Sequence, residues 1–272
     1  MNLKESLKGK LSSKEIEILP RAFDIIGRIA IVEIPKPLRK KEKLIASTLL
    51  KNNPGIRTVL EKSDRFKGRL RTRKLRFIDG VKTKEADYAE NGCRFIFNVE
   101  TSYFSPRLSS DRLEIAKQVK KNERVLVMFS GVAPYPIVIA KNSKAREVYA
   151  IELNRTATKY AQKNVKLNKL SNVHIIQGDV KKKIPELKKK KIIFDRIVMA
   201  RPQLKDDFLI DAKKVSRKGT IINFYDFLPE AHMPDASLKK IKSVFPRAKI
   251  LGWKKAGDIG VRKYRIRVDF KI

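Results

Sequence analysis

The chain has 272 residues, 42% of them hydrophobic, and its 64 Lys and Arg outnumber 29 Asp and Glu to give a formal net charge of +35. That length suits one large or two modest domains with a real core, which excludes a disordered tail, and the surplus of cations points to a polyanion as partner. One cysteine, Cys93, excludes an internal disulfide framework, His174 and His232 are too few for an expected zinc site, and without an apolar stretch of about 18 residues or a secretory signal the protein is expected to be a cytoplasmic monomer away from membranes. Residues 25–34, IIGRIAIVEI, predict a strand stopped by Pro35 and Pro37. In LRKKEKLIASTLLKN, Leu38, Ile45 and Leu49 fall at helical spacing, and RTVLEK reads as a short strand. Residues 67–76, KGRLRTRKLR, carry six basic side chains. They are expected as a strand with Leu70, Thr72, Lys74 and Arg76 on one face and Arg69, Arg71, Arg73 and Leu75 on the other. Asn91-Gly92 marks a turn, and CRFIFNVE alternates with Phe95, Phe97 and Val99 on one side. Residues 1–100 thus predict a small, basic α+β domain.

Beyond residue 100 the pattern changes. Residues 111–120 predict a helix, and RVLVMF is a strand of the buried, parallel-sheet type. VYAIEL, VHIIQGDV, FDRIVMARP and GTIINFYDF predict four more strands, with helices between them. Asn154 is placed to N-cap the helix RTATKYAQKNVKLN. This alternation is the mark of an α/β, doubly wound parallel sheet over residues 101–272. AKILGWKK and KYRIRVDFKI suit a hairpin at its edge, and the lysine runs 181–183 and 188–191 are expected on a solvated face beside a short loop or helix.

The stretch VLVMFSGVAPYPIVIAK (125–141) is a strand followed by a turn where such sheets bind nucleotides. Glu152 lies 21 residues after Gly131 at the end of the second strand, where an acid can accept ribose hydroxyls. Asp179, after the third strand, is expected beside the adenine. One glycine followed by Val-Ala-Pro suits S-adenosylmethionine better than NAD, because there is no pyrophosphate to cradle.

YFSPRLSSDR (103–112), the 125–141 stretch, VYAIELN and ENGCRF (90–95) resemble the archaeal and eukaryotic tRNA (guanine-37) N1-methyltransferases and their relatives in wyosine biosynthesis. The likeness covers most of residues 25–270. It implies a class I, Rossmann-type domain (101–272) that binds S-adenosylmethionine, and a first domain (1–100) that positions tRNA. It also implies methylation of the base at position 37. Full-length members carry an extra N-terminal domain; this chain is expected to lack it, since the common part already begins near residue 20. By resemblance the catalytic acid falls at Asp111, where most members have glutamate. The catalytic arginine falls at Arg71, with Arg73 as the alternative. The implied cofactor set is Tyr103, Phe129, Gly131, Val132, Ala133, Glu152, Leu153, Asp179, Val180, Ala200 and Pro202. The implied RNA-binding set is Arg69, Arg71, Arg73, Arg107, Arg112 and Arg201, and no metal is implied. The family's Asn-Leu-Pro after the fourth strand stands here as Ala200-Arg201-Pro202, and a glycine expected after Gly131-Val132 is Ala133.

The chemistry accounts for these residue types. N1 of guanine carries a proton that a carboxylate must remove as the methyl group moves. Charge then builds toward O6, where a fixed arginine stabilises it. Asp111 has a second reading, as an N-cap paired with Glu114. Ala133 is strained only if its φ is positive. The departures leave three outcomes open: ordinary N1 methylation, methylation of carbon 7 of 4-demethylwyosine, or a silent tRNA-binding relative. The aminocarboxypropyl transferases of the wyosine pathway share the fold and stand as a further alternative.

Overall fold

The structure, a computed structural model, describes residues 3–20, 22–63 and 68–272. The chain divides into two units: Met1–Ala89 with Phe95–Tyr103, and Glu90–Arg94 with Phe104–Ile272.

The first unit opens with two short helices, α1 (Leu3–Ser6) and α2 (Ser13–Glu17); Ser12 and Glu15 close a capping box on α2. Next come β1 (Asp24–Ile26), β2 (Ile29–Val32), α3 (Glu42–Asn52), β3 (Thr58–Lys62) and β4 (Leu75–Gly80). The sheet order is β1-β2-β3-β4, with β2 and β3 parallel and the other pairs antiparallel. The expected single strand 25–34 is instead a hairpin, because the chain reverses at Gly27. Its φ is +58°, and a Cβ there would stand 2.1 Å from the Asp87 carbonyl oxygen, so only glycine fits. Leu38, Ile45, Leu49 and Val59 pack in this unit's core.

The basic run is not the expected strand. Residues 68–74 form a turn and irregular chain, and β4 begins only at Leu75. Gly68 and Arg71 have φ of +63° and +52°, which cannot continue a ladder. Lys67 lies outside the described residues. After β4, β5 (Glu85–Glu90) and β6 (Cys93–Asn98) form a hairpin through Asn91 and Gly92, with φ of +49° and +71°. Phe95, Phe97 and Val99 are buried as the alternation predicts.

The second unit carries α4 (Ser109–Gln118), β7 (Arg124–Met128), α5 (Pro134–Asn142), β8 (Glu147–Glu152), α6 (Arg155–Leu167), β9 (Val173–Gln177) and α7 (Val180–Lys189). It continues with β10 (Arg196–Met199), α8 (Leu209–Lys214), β11 (Ile221–Pro229), α9 (Asp235–Val244), β12 (Lys249–Gly260) and β13 (Lys263–Lys271). The seven-stranded sheet runs β12-β13-β11-β10-β7-β8-β9. The strands β7 to β11 are parallel, and β13 joins them antiparallel with β12 outside it. Strand order reverses between β10 and β7, so the ligand crevice belongs at the carboxyl ends of these two strands. Met128, Ile151, Met199, Phe224 and Val268 lie in the core, each at 0% exposure. That explains the near-continuous apolar runs of the sequence. Asn154 caps α6 by accepting from the N–H groups of Thr156 and Ala157. The lysine runs border one helix, α7, with Ile184 and Leu187 turned inward.

Candidate active site

β7 ends at Met128, and the backbone then passes through three left-handed residues: Phe129 (φ +65°), Gly131 (+58°) and Ala133 (+67°). Two of them are not glycine, which marks a strained turn of the kind that collects at ligand sites. The turn is tied down locally. The Ser130 N–H donates to the Ile151 carbonyl at 2.9 Å, and the Gly131 N–H donates to Glu152 Oε2 at 2.7 Å. Asn164, fully buried on α6, donates its Nδ2 to the Val132 carbonyl at 3.2 Å. The predicted pair Gly131 and Glu152 is therefore in direct contact at the switch point.

Glu152 also accepts from the Asn154 N–H at 2.7 Å. Burial pushes its carboxyl above the ordinary range, against the opposing pull of the Asn154, Gly131 and Leu153 N–H groups. A carboxylate has about four acceptor positions, so hydroxyl groups can be added to these contacts. Ser130 Oγ is buried without a hydrogen-bond partner among the described residues. A hydroxyl left in that state beside a strained turn fits a ligand atom or an ordered water. Together, the acid, the hydroxyl and the left-handed turn fit an adenosine-bearing cofactor. Ala133, fully buried at φ +67°, meets the condition under which alanine is strained. Ala133→Gly is expected to raise stability by roughly 1 kcal/mol in chemical denaturation, since an L-residue there costs about that much.

The other cofactor candidates divide. Leu153, Ala200 and Pro202 are half-buried at the carboxyl ends of their strands. Asp179 caps α7, accepting from the Lys181 N–H at 2.9 Å. Val180 is 4% exposed and packs in the core, so its side chain is not presented to a ligand. Phe129 packs edge-to-face on Phe208, with ring centroids 4.8 Å apart. Phe208, itself left-handed at φ +62°, ends the loop that follows β10.

Asp111 is not the N-cap of α4: that position is Leu108, which makes no side-chain cap. Asp111 sits one turn in, 6% exposed, with its carboxylate fully engaged. Oδ1 accepts from Arg267 at 2.6 Å; Oδ2 accepts from the Tyr135 hydroxyl at 2.6 Å and from the Tyr225 hydroxyl. Arg267 also binds Glu114 and Asp269, and Lys254 binds Glu114. Burial raises both phenols above their ordinary range. This cluster lies at the carboxyl edge of the sheet. Tyr225 directly follows Phe224, the partner of the last β10 residue, and Tyr135 stands in the first turn of α5.

The arginines expected on RNA also divide. Arg69 and Arg107 are exposed. Arg71 is half-buried, with its guanidinium 5.7 Å from the ring centre of Tyr103, which is 39% exposed. The other three are corrected, because a buried guanidinium has no face to offer a phosphate. Arg73 is 8% exposed. Arg112 is 1% exposed and grips Glu90 with two bonds of 2.5 Å. Arg201 is 4% exposed and bound to Asp226 at 2.5 Å. Sequence reasoning missed Arg267, Tyr225, Phe208 and Asn164. Only Asn164 left a signal, as a polar residue on the inward stripe of α6 with Ala157, Ala161 and Val165.

Comparison with known proteins agrees with this geometry. The profile of the TRM5/TYW2 methyltransferase domain matches residues 87–250, and that of the TYW2 N-terminal domain matches residues 3–83. The chain is 36% identical over 258 residues to the tRNA (guanine(37)-N(1))-methyltransferase Trm5b of Pyrococcus abyssi, covering 93% of this chain and 76% of that protein. It is 34% identical to the tRNA (guanine(37)-N(1))/4-demethylwyosine(37)-methyltransferase Taw22 of Nanoarchaeum equitans, covering 91% of this chain and 98% of the relative. The solved complex of aTrm5 with tRNALeu superposes with a TM-score of 0.86 at 26% identity, over all of this chain and 78% of that one. The chain belongs to the TRM5/TYW2 methyltransferase family.

Proposed function

We propose that this protein transfers the methyl group of S-adenosylmethionine to the purine at position 37 of tRNA. The observation that carries the reading is the left-handed turn 129–133, bridged by Glu152, at the switch point of a TRM5/TYW2 family sheet. When bound, the cofactor supplies an electrophilic methyl group on a sulfonium. The chain's own residues do the rest. Glu152 accepts the ribose hydroxyls, Ser130 Oγ takes a polar atom of the ligand, and Asp179 stands on the adenine side. Positioning then supplies much of the rate. In this reading residues 101–272 hold the cofactor. Residues 1–100 position tRNA, with Arg69 on its backbone together with Arg107, and Arg71 is the cation that stabilises charge developing on the base. The protein acts as a cytoplasmic monomer, which sedimentation with and without tRNA checks.

The state of Asp111 favours one acceptor. Guanosine N1 must lose its proton as the methyl group arrives, and both Asp111 oxygens are occupied by Arg267, Tyr135 and Tyr225. The bonds must be exchanged before Asp111 can take that proton. A carbon nucleophile attacks first and loses its proton afterwards, so carbon 7 of 4-demethylwyosine suits this carboxylate better. The test is one reaction with labelled S-adenosylmethionine and two tRNAs, bearing guanosine or 4-demethylwyosine at position 37, read by nucleoside mass spectrometry. Label in the tricyclic base is expected. Label in 1-methylguanosine would keep the methyltransferase and reverse the choice of acceptor. No label in either, with both tRNAs bound, would replace the reading with a silent tRNA-binding relative.

A further inference from the structure

Two buried arginines flank β10, at opposite ends of the sheet. Arg196 opens the strand at the amino end and pairs with Glu123 at 2.8 Å. That end carries no site in a doubly wound sheet, so this pair is a matter of stability. Arg201 stands two residues beyond Met199, at the carboxyl end where ligand crevices form. Its guanidinium donates to three carbonyls of the loop 200–208: Leu204 at 3.0 Å, Asp206 at 3.2 Å and Pro202 at 3.4 Å. It also donates to the Tyr225 carbonyl at 3.0 Å and to Asp226 Oδ1 at 2.5 Å. Asp226 is held in turn by Ser237 and Lys240 on α9, each at 2.8 Å.

The loop is irregular throughout, so its carbonyls have no ladder or helix to satisfy them. One buried side chain, anchored outside the loop, supplies that need and so sets the loop's shape. The far end of the loop reaches the cofactor turn, where Phe208 packs on Phe129. Glu152 and Asp179 place the cofactor on the β8 and β9 side of β7, whereas β10 lies on the other side. Loop 200–208 therefore lines the opposite part of the crevice.

We infer that Arg201 is a positioning residue for the methyl acceptor: it fixes loop 200–208 as the acceptor-side wall of the crevice and leaves cofactor affinity alone. The inference rests on the methyltransferase reading given above. Lysine cannot replace Arg201, because an ammonium keeps the charge for Asp226 but lacks the planar fork that reaches several carbonyls at once.

The test compares wild type with Arg201→Lys in three measurements: single-turnover methylation of tRNA, calorimetric titration with S-adenosylhomocysteine, and amide hydrogen exchange over residues 200–208. The expected result is a methyl-transfer rate about 100-fold lower, the loss that misplacement by about 1 Å produces. Exchange in the loop should be faster, and the dissociation constant for S-adenosylhomocysteine should be unchanged. A merely structural arginine would lower affinity and rate together, and that outcome overturns the inference. So does an Arg201→Lys protein that works at the full wild-type rate. A wild type that transfers no methyl group overturns the parent reading and this inference with it. Should Arg201→Lys fail to fold, the double variant Arg201→Met with Asp226→Leu removes both buried charges together. The same division between rate and affinity is expected of it, and a proportional loss of both overturns the inference.

Discussion

Arg112→Met is expected to lower the unfolding free energy by about 3–5 kcal/mol, because it leaves a carboxylate buried without its cation. Glu90 and Arg112 have side-chain exposures of 3% and 1%. They meet through two parallel bonds of 2.5 Å, and the guanidinium also donates to the Ser105 carbonyl at 3.1 Å. The rings of Phe104 and Tyr135 approach it at 5.1 and 5.8 Å, which keeps water away from the pair. One side chain thus fastens α4 to the β5–β6 hairpin tip and to the segment that precedes the helix. Chemical denaturation measures the loss. The double variant Arg112→Met with Glu90→Leu is expected to recover most of it, since an apolar pair of similar volume avoids desolvating two charges. If the double variant is as unstable as the single, the loss comes from the packing of Arg112 on the two rings, and the charge argument fails.

The second unit was largely legible in the sequence, because a parallel sheet covered on both faces needs continuous apolar runs and those runs are visible. The Gly131 to Glu152 spacing was legible too, since it follows from one strand, one helix and one strand of ordinary length. The basic run 67–76 was misread because alternating arginines resemble a strand in charge but supply no apolar face to hold one. The splitting of 25–34 depended on a close approach of Gly27 to Asp87, which no local pattern records. The buried arginines were the largest error. Whether a guanidinium is buried depends on the acid it meets, and those acids lie far away in sequence. Glu90 is 22 positions from Arg112, Asp226 is 25 from Arg201, and Asp111 is 156 from Arg267. Composition counts such arginines as surface charge; only the fold assigns them to the interior.

Arg267→Met is expected to cost a similar 3–5 kcal/mol at neutral pH, and the cost should depend on pH in a defined direction. Arg267 is buried among three carboxylates, with Asp111 at 2.6 Å, Asp269 at 3.0 Å and Glu114. Burial acts to lower its basicity, but Tyr225 and these acids outweigh burial and hold the guanidinium above its ordinary range. Without it Asp111 keeps only its two phenol donors, and Glu114 keeps only Lys254. Burial raises the Glu114 carboxyl, but its bonds to Lys254 and Arg267 overcome that and hold it below the ordinary carboxylate range. A depressed carboxyl stabilises the folded chain above the unfolded value, near 4.3 for glutamate, and loses that contribution as pH falls through the folded value. In the variant Glu114 is depressed less, so it has less to lose on acidification. The stability gap between wild type and Arg267→Met should therefore be widest near neutrality and should narrow below about pH 4. Denaturation midpoints measured at both pH values decide the matter: a gap that does not change with pH would make Arg267 a packing residue, and a narrowing gap makes it the cation that holds the acids of α4 in place.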